Sequence, residues 1–442
     1  MLKAVSLFAS GGIADLALEA NGVHVIVANE IVADRASLYA HNFPDTKVLC
    51  GDIWDVKEEL ISNARQRLSG TELDIVLATP PCQGMSKNGQ GKILQSVRSG
   101  KRPKIDPRNR LIIPTLEVVR ALQPRIVIFE NVPEMLHTII DDERGRLVNI
   151  IQYIKEALEP EYFGHAEVVE FADHGVPQRR KRLITIFTRD EDLKSLFIQN
   201  GTFIPNRTHS QEARGTEKRW VSVRDVIGHL PALDGKDEER AASAIPFHSV
   251  PVLDPKKYTW ISHTPPEKGA FDNQCVNKDC LFTGNPIHGS QVNKDGINRP
   301  SETTPLYCIQ CGSLLPRPYV ADATRGLRLM AGYTSAYKRM RWDLPAPTLT
   351  TNLQYPSSDH KIHPEQNRVL SLYEAFKLHT LDQFQYEWIH ESGERAKTTL
   401  ITEVIGESIP PKGIEAILRN ILSGYRGTAM SSPRLYRLKN SV

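Results

Sequence analysis

The chain has 442 residues, 40% of them hydrophobic and 24% charged, with a formal net charge of +3. This is the composition of an ordinary globular chain and excludes fibrous and low-complexity classes. No run approaches the roughly 18–20 apolar residues that span a bilayer. A charge this small does not by itself point to nucleic acid, so local charge distribution has to carry that argument.

The opening "MLKAVSLFASGG" combines a lysine, an apolar stretch and small residues, as a signal peptide does. Asp15 and Glu19 follow at once and strand-like runs continue, so it is read as a first core strand and the protein is expected in the cytoplasm. In chain order, "KAVSLFAS" predicts a strand, "ADLALEAN" a helix, "VHVIVANE" a strand and "ADRASLYAHNF" a helix. "TKVLCGDI" and "LDIVLATP" predict strands, "IIPTLEVVRALQ" a helix and "RIVIFENV" a strand. "GRLVNIIQYIKEAL" predicts a helix before the strands "AEVVEFA" and "RLITIFT". Apolar strands alternating with helices predict an α/β fold, a doubly wound parallel sheet covered on both faces.

From about residue 190 the texture changes. The stretch 189–365 holds 16 of the 29 prolines and few helical periods. Helical patterns return in "VLSLYEAFKLH" and "PPKGIEAILRNILSGY". The predicted organisation is therefore a first domain over 1–188, a smaller loop-rich domain over 189–365, and a C-terminal segment over 366–442 that returns to the first.

In doubly wound sheets, ligands bind beyond the C-terminal ends of the strands. Gly11 and Gly12 follow the first strand and would let a ligand approach the backbone. Glu30 ends the second strand, about 20 residues past the glycines, where an acid can bond ribose hydroxyls. Asp52 ends the third and could take an adenine amino group. Together they predict an adenosine-type ligand, either a nicotinamide cofactor or S-adenosylmethionine.

At the same predicted edge, Cys82 follows the stiff Pro80-Pro81 turn in "LATPPCQGMS". Structural cysteines usually lie within apolar runs, whereas this one opens a polar, basic stretch. Glu130 ends the fifth strand directly after four apolar residues, where desolvation would raise its pKa and let it share a proton with a substrate nitrogen. "QRRKR" at 178–182 places Arg180 and Arg182 near the same edge, alternating outwards, where they can steer an anion or a carbonyl oxygen. Residues 87–110 carry eight Lys or Arg and one acid, a basic loop suited to phosphates.

These residues resemble the DNA (cytosine-5) methyltransferases of prokaryotic restriction-modification type. The signatures are "LFASGGIADLALE", "NE" at 29–30, "GDI" at 51–53, "PPCQGMS", "ENV" at 130–132 and "QRRKR", then "RMRWDLPAPTLTT" at 339–351 and "IGESIPP" at 405–411. They run in the family's order from one end of the chain to the other. The resemblance implies a Rossmann-like S-adenosylmethionine-dependent methyltransferase domain and a target-recognition domain over about 189–365. It implies transfer of a methyl group to C5 of a cytosine flipped out of duplex DNA. Cys82 would attack C6, Glu130 would bond N3 and the 4-amino group, and Arg182 would contact O2 with Arg180 in support. Phe8, Ser10, Gly11, Gly12, Glu30, Asp52, Ile53 and Pro81 would contact the methyl donor. The basic loop would close over DNA, with Gln83 to Ser86 near the base. Ser10 replaces the family's first loop glycine, and Gly406-Glu407-Ser408 departs from its usual Gly-Asn-Ser. Further expectations are a monomer and a separate cognate restriction endonuclease. The rival readings are a transfer-RNA methyltransferase of the same fold, a nicotinamide-dependent oxidoreductase, and a non-catalytic DNA-binding relative.

The spacing Cys275-x4-Cys280 and Cys308-x2-Cys311 suits a tetrahedral structural zinc held by four thiolates. His263 and His288 have no comparable spacing and are read as surface residues.

Overall fold

The first strand, β1 (Leu2–Leu7), is buried at every position from Ala4 on, the unbroken apolar pattern of a strand covered on both faces. β2 (Val23–Glu30), β4 (Ile75–Ala78) and β5 (Ile126–Asn131) share it. With β3 (Lys47–Cys50), β6 (Phe163–Glu170) and β7 (Lys181–Thr188) they form a seven-stranded sheet of order β3-β2-β1-β4-β5-β7-β6. The computed structural model describes residues 1–81, 106–287, 290–292, 298–301, 303–322, 326–330, 335–358 and 360–425. Cys82, Gln83 to Ser86, the basic loop up to residue 105 and His288 lie outside the described residues.

The sheet departs from the expected all-parallel form. β1 to β5 pair in parallel, but β7 runs antiparallel to both β5 and β6. The connection from β6 to β7 is too short for a crossover helix, and a short link joins antiparallel neighbours. β7 therefore inserts between β5 and β6 and brings its starting end to the rim where the parallel strands finish.

Helices α1 (Asp15–Ala20), α2 (Ala33–Asn42), α3 (Ile53–Leu68), α4 (Ile112–Leu122) and α5 (Ile150–Leu158) connect the strands. α3 buries Ile53, Leu60, Ile61, Ala64 and Leu68 along one stripe, and packs with α4 and α5 over the central strands. The predicted helix at "GRLVNIIQYIKEAL" begins only at Ile150, because Asn149 caps it by accepting from the Ile151 and Gln152 N–H groups. The preceding Leu147–Asn149 forms a short strand.

By contact density the chain divides into residues 1–219 with 379–442, and residues 220–378. The limits expected at 188/189 and 365/366 therefore shift. Residues 189–219 stay with the first unit because α6 (Glu191–Asn200) stacks Phe197 on Phe163 and Phe203, and Asn420 donates to the Phe203 carbonyl.

The second unit is loop-rich, as expected, with the short helices α7 (Val223–Ile227), α8 (Pro255–Ser262) and α9 (Leu372–Leu378). α9, expected in the returning segment, belongs here: Arg368 and Glu374 form a fully buried ion pair at 2.7 Å, and Ser371 bonds both His248 and Glu374. Irregular backbone leaves buried carbonyls without ladder partners. Two buried arginines supply donors instead. Arg339 bonds the carbonyls of Ile261, Thr264, His363 and Gln366, and Arg317 bonds those of Asn273, Pro286 and Pro305. Burial pushes both guanidinium pKa values down to about 10.

The chain returns to the first unit with α10 (Thr398–Glu407) and α11 (Pro411–Gly424). Among the described residues no helix is long and apolar enough to cross a membrane.

Candidate active site

The strand ends at one rim of the sheet are wired to one another. Thr79, after β4, donates its hydroxyl to the Phe8 carbonyl after β1 at 3.0 Å. The Ser10 N–H donates to Glu30 Oε2 at 2.8 Å, joining the β1 loop to the end of β2. Asn29 donates to the carbonyls of Leu49 and Gly51, joining β2 to β3. Asn131 donates to the Pro80 carbonyl at 3.0 Å, joining β5 to the turn that precedes Cys82. The rim is thus positioned before any ligand arrives.

On the donor side, the loop after β1 is held in an unusual backbone. Phe8 and Ser10 have φ of 60° and 50°, a region non-glycine residues seldom occupy and one that gathers at functional sites. Gly11 and Gly12 were expected to make room for a ligand, but the protein itself crowds them. A Cβ on Gly12 would lie 2.4 Å from the Phe43 ring, and one on Gly11 2.7 Å from the Tyr386 hydroxyl. Tyr386 also donates to the Gly11 carbonyl at 2.6 Å. Beneath the loop, Asp15 is buried and accepts from Ser6 and Tyr39 at 3.0 and 2.8 Å. Burial outweighs those bonds and pushes its pKa up to about 7.

Glu30 spends one oxygen on the Ser10 N–H and the other on the Val32 N–H at 2.9 Å. Each carboxylate oxygen keeps a lone pair for a ligand hydroxyl. Asp52 caps α3 by accepting from the Trp54 N–H at 3.0 Å. The Ile53 side chain lies in the hydrophobic core rather than in the pocket. Ile31, Val32 and Trp54 are exposed apolar side chains at these strand ends. Sequence reading passed over them, although apolar residues directly after a strand-terminal acid were the available signal. The Ser10 hydroxyl is buried without a partner. Carboxylates for hydroxyls and an amino group, apolar side chains for a purine face and an orphaned hydroxyl together fit S-adenosylmethionine.

On the acceptor side, Glu130 is buried at the end of β5. The register of β7 puts Ile184 opposite it and Arg182 two residues along, on the same face. Arg182 Nε lies 2.7 Å from Glu130 Oε1, yet that oxygen accepts no well-aligned hydrogen bond. Burial raises the Glu130 pKa above the usual carboxylate range, opposed by Arg182 and Arg180. A desolvated carboxyl with one under-used oxygen is suited to sharing a proton with a ring nitrogen.

Arg180 corrects the expectation that it faces outwards beside Arg182. It is fully buried, and its guanidinium donates to the carbonyls of Gly406 and Glu407 at 3.1 and 3.3 Å, at the end of α10. His379, also buried, bonds Gln178 at 3.3 Å and Ser408 at 3.1 Å. Burial and the nearby arginines hold its pKa far below the usual range, so it is neutral. The "QRRKR" and "IGES" segments therefore form one buried polar network.

In the second unit, the sulfurs of Cys275, Cys280, Cys308 and Cys311 all lie within 4.8 Å of one another. The Cys275–Cys311 and Cys280–Cys308 separations are 3.6 and 3.9 Å. A tetrahedral zinc with bonds of about 2.3 Å places its sulfurs about 3.8 Å apart. The Gly312 N–H donates to the Cys308 carbonyl at 2.8 Å, closing the turn between the second pair. Asn285 and Asn277 donate to Cys308 and Cys311 sulfurs at 3.6 and 4.0 Å. The chemistry of this donor set fits the metal. His263 takes no part and bonds the Thr259 carbonyl.

A sheet of this order, with carboxylates beyond successive strands, matches the fold of the S-adenosylmethionine-dependent methyltransferases. A solved structure of a putative DNA modification methyltransferase encoded within a prophage of E. coli shares the fold, with a TM-score of 0.51 at 19% identity over 96% of this chain and 99% of that one. The S. pombe Dnmt2 methyltransferase does so at 0.50 and 13%, over 96% and 99%. The chain belongs to the C-5 cytosine-specific DNA methylases, whose profile matches residues 2–423. It is 28% identical over 433 residues to the Type II methyltransferase M1.HgaI of Avibacterium volantium, covering 96% of this chain and 98% of that protein. It is 32% identical over 244 residues to the Type II methyltransferase M.AquIA of a Picosynechococcus strain, covering 52% and 89%. The protein is thus a DNA cytosine-5 methyltransferase, and S-adenosylmethionine is its methyl donor.

Proposed function

We propose that the enzyme modifies a cytosine flipped from duplex DNA through a covalent adduct with Cys82, and that Glu130 and Arg182 hold the base. The observation that carries this reading is the Glu130–Arg182 pair on adjacent antiparallel strands, next to the Asn131 bond that fixes the Pro80-Pro81 turn. The Cys82 thiolate adds to C6 while Glu130, sharing its proton with N3, takes up the negative charge that would build on the ring. Electrons flow to C5, which would take the methyl group as its bond to the donor sulfur breaks and S-adenosylhomocysteine leaves. S-adenosylmethionine, when bound, supplies that group as an electrophile on a sulfonium. Loss of the C5 proton and departure of the thiolate restore the ring.

Glu30, Asp52 and the Ser10 hydroxyl hold the donor, with Phe8 and Pro81 beside it. Arg180 positions α10 rather than touching the base. Residues 220–378 read the target sequence, and Cys275, Cys280, Cys308 and Cys311 hold a structural zinc there. The basic loop before residue 105 grips phosphates. The enzyme works as a cytoplasmic monomer on double-stranded DNA, protecting sites cut by a separate restriction endonuclease. Transfer RNA as acceptor gains nothing from a family match that specifies DNA.

Duplex DNA carrying 5-fluorocytosine at the methylated position tests the adduct, because fluorine cannot leave as the C5 proton does. Wild-type enzyme should be trapped covalently and Cys82→Ser should not. Normal methylation of ordinary DNA without trapping would sink the mechanism.

A further inference from the structure

Glu407, where this chain departs from the Gly-Asn-Ser pattern, is held from two sides. Its carbonyl accepts from Arg180, two residues before the arginine that pairs with Glu130. Its carboxylate accepts from Arg35 Nη1 at 2.7 Å, with Glu403 a second, looser partner at 3.5 Å. Arg35 lies on α2, which starts three residues after Glu30. Its side chain is only 14% exposed and that of Glu407 35%. Glu407 and Glu30 together raise the Arg35 pKa against the effect of burial. Arg35 thus interacts favourably with Glu407 and Glu403, which it touches, and with the charge of Glu30. The substituted residue therefore has its own built-in counter-charge on another helix.

We propose that the Arg35–Glu407 pair is a positioning element of the donor site. It ties the start of α2 to the end of α10, so that Glu30, which holds the Ser10 loop, keeps its place before the donor binds. Neither residue is assigned a contact with the reacting atoms. The inference rests on the reading that the donor lies over Glu30.

The test uses full-length enzyme and S-adenosylhomocysteine as the titrated probe. Glu407→Gln and Arg35→Ala should each weaken probe binding about three- to fivefold, the scale of a partly exposed ion pair. The double variant should be no worse than either single one, because both remove the same interaction. The Michaelis constant for S-adenosylmethionine should rise in step, while kcat at saturating donor changes less than about twofold. The exchanged pair Arg35→Glu with Glu407→Arg should recover part of the affinity. Unchanged thermal unfolding of Glu407→Gln separates positioning from loss of fold, since Arg180 bonds only the backbone at this residue. Unchanged affinity in the single variants, or additive losses in the double, would overturn the proposal. Glu30→Ala reports on the underlying reading: unchanged probe affinity there would show that the donor lies elsewhere, and both statements would fall.

Discussion

The Asn131 side chain donates to the Pro80 carbonyl at 3.0 Å while accepting from the Val132 N–H at 2.8 Å. One buried amide thus couples the strand that ends in Glu130 to the turn that leads into Cys82. Asn131→Ala should leave the Pro80 carbonyl without its buried donor, a loss of about 1–3 kcal/mol. On the proposed reading that Cys82 is the nucleophile, kcat should fall by tenfold or more, with duplex affinity changed less than about threefold. Single-turnover rates and filter binding on the same variant check both.

Glu130→Gln keeps the shape of the side chain but removes its charge and proton. A rate loss on the order of 100-fold or more is expected from the scale of acid–base contributions, with donor affinity unchanged. In the proposed mechanism protonated Glu130 donates to N3, and burial raises its pKa. Wild-type kcat/KM should therefore fall as pH rises through that raised value, and the Gln variant should lose this limb. Near-normal turnover of the variant would make Glu130 structural.

Asp15 should make stability depend on pH. Its folded pKa is about 7 against an ordinary value of 3.8. Between those values the folded state binds the extra proton, so the Asp15 contribution is fully present below about pH 4 and is lost as pH rises through 7. The slope is up to ~1.4 kcal/mol per pH unit. Asp15→Asn is neutral throughout and should flatten that dependence. Melting temperatures of both proteins at pH 5, 6, 7 and 8 are the measurement, and parallel curves would count against it.

The four-cysteine cluster should carry one zinc per chain. Cys308→Ala or Cys311→Ala should release it and lower the unfolding temperature, because metal binding and local folding are coupled. Metal analysis of purified wild-type protein, with thiol titration before and after chelator, checks this. Four freely titrating thiols and no zinc would refute the site.

Much of this architecture is legible in the chain, and its gaps have physical causes. Glu130 and Arg182 could be placed because each lies at the end of an unmistakable apolar strand. The direction of β7 could not, because a continuously buried apolar run reads the same for parallel and antiparallel strands. Arg180 looked like Arg182 in sequence, yet its partners, Gly406 and Glu407, lie more than two hundred residues away. Gly11 and Gly12 were read as letting a ligand approach the backbone, whereas the crowding at them comes from Tyr386, distant in sequence, and Phe43, at the end of α2. The limit at 378 escaped notice because the "LYEAFKL" helix looks alike in either unit, and contacts distant in sequence, His248 to Ser371 and Phe247 to Phe376, decide between them.

The first unit is discontinuous: Tyr386, which bonds the loop after β1, and Glu407, which pairs with Arg35 on α2, are encoded after residues 220–378. A ribosome making roughly 5–20 residues per second takes on the order of ten seconds or more to cross that insertion. During that interval the nascent chain already displays Cys82 and Glu130, but it lacks the donor to Gly11 and the anchor for Arg35. The segment assigned to reading the target is always synthesised before the donor pocket can close.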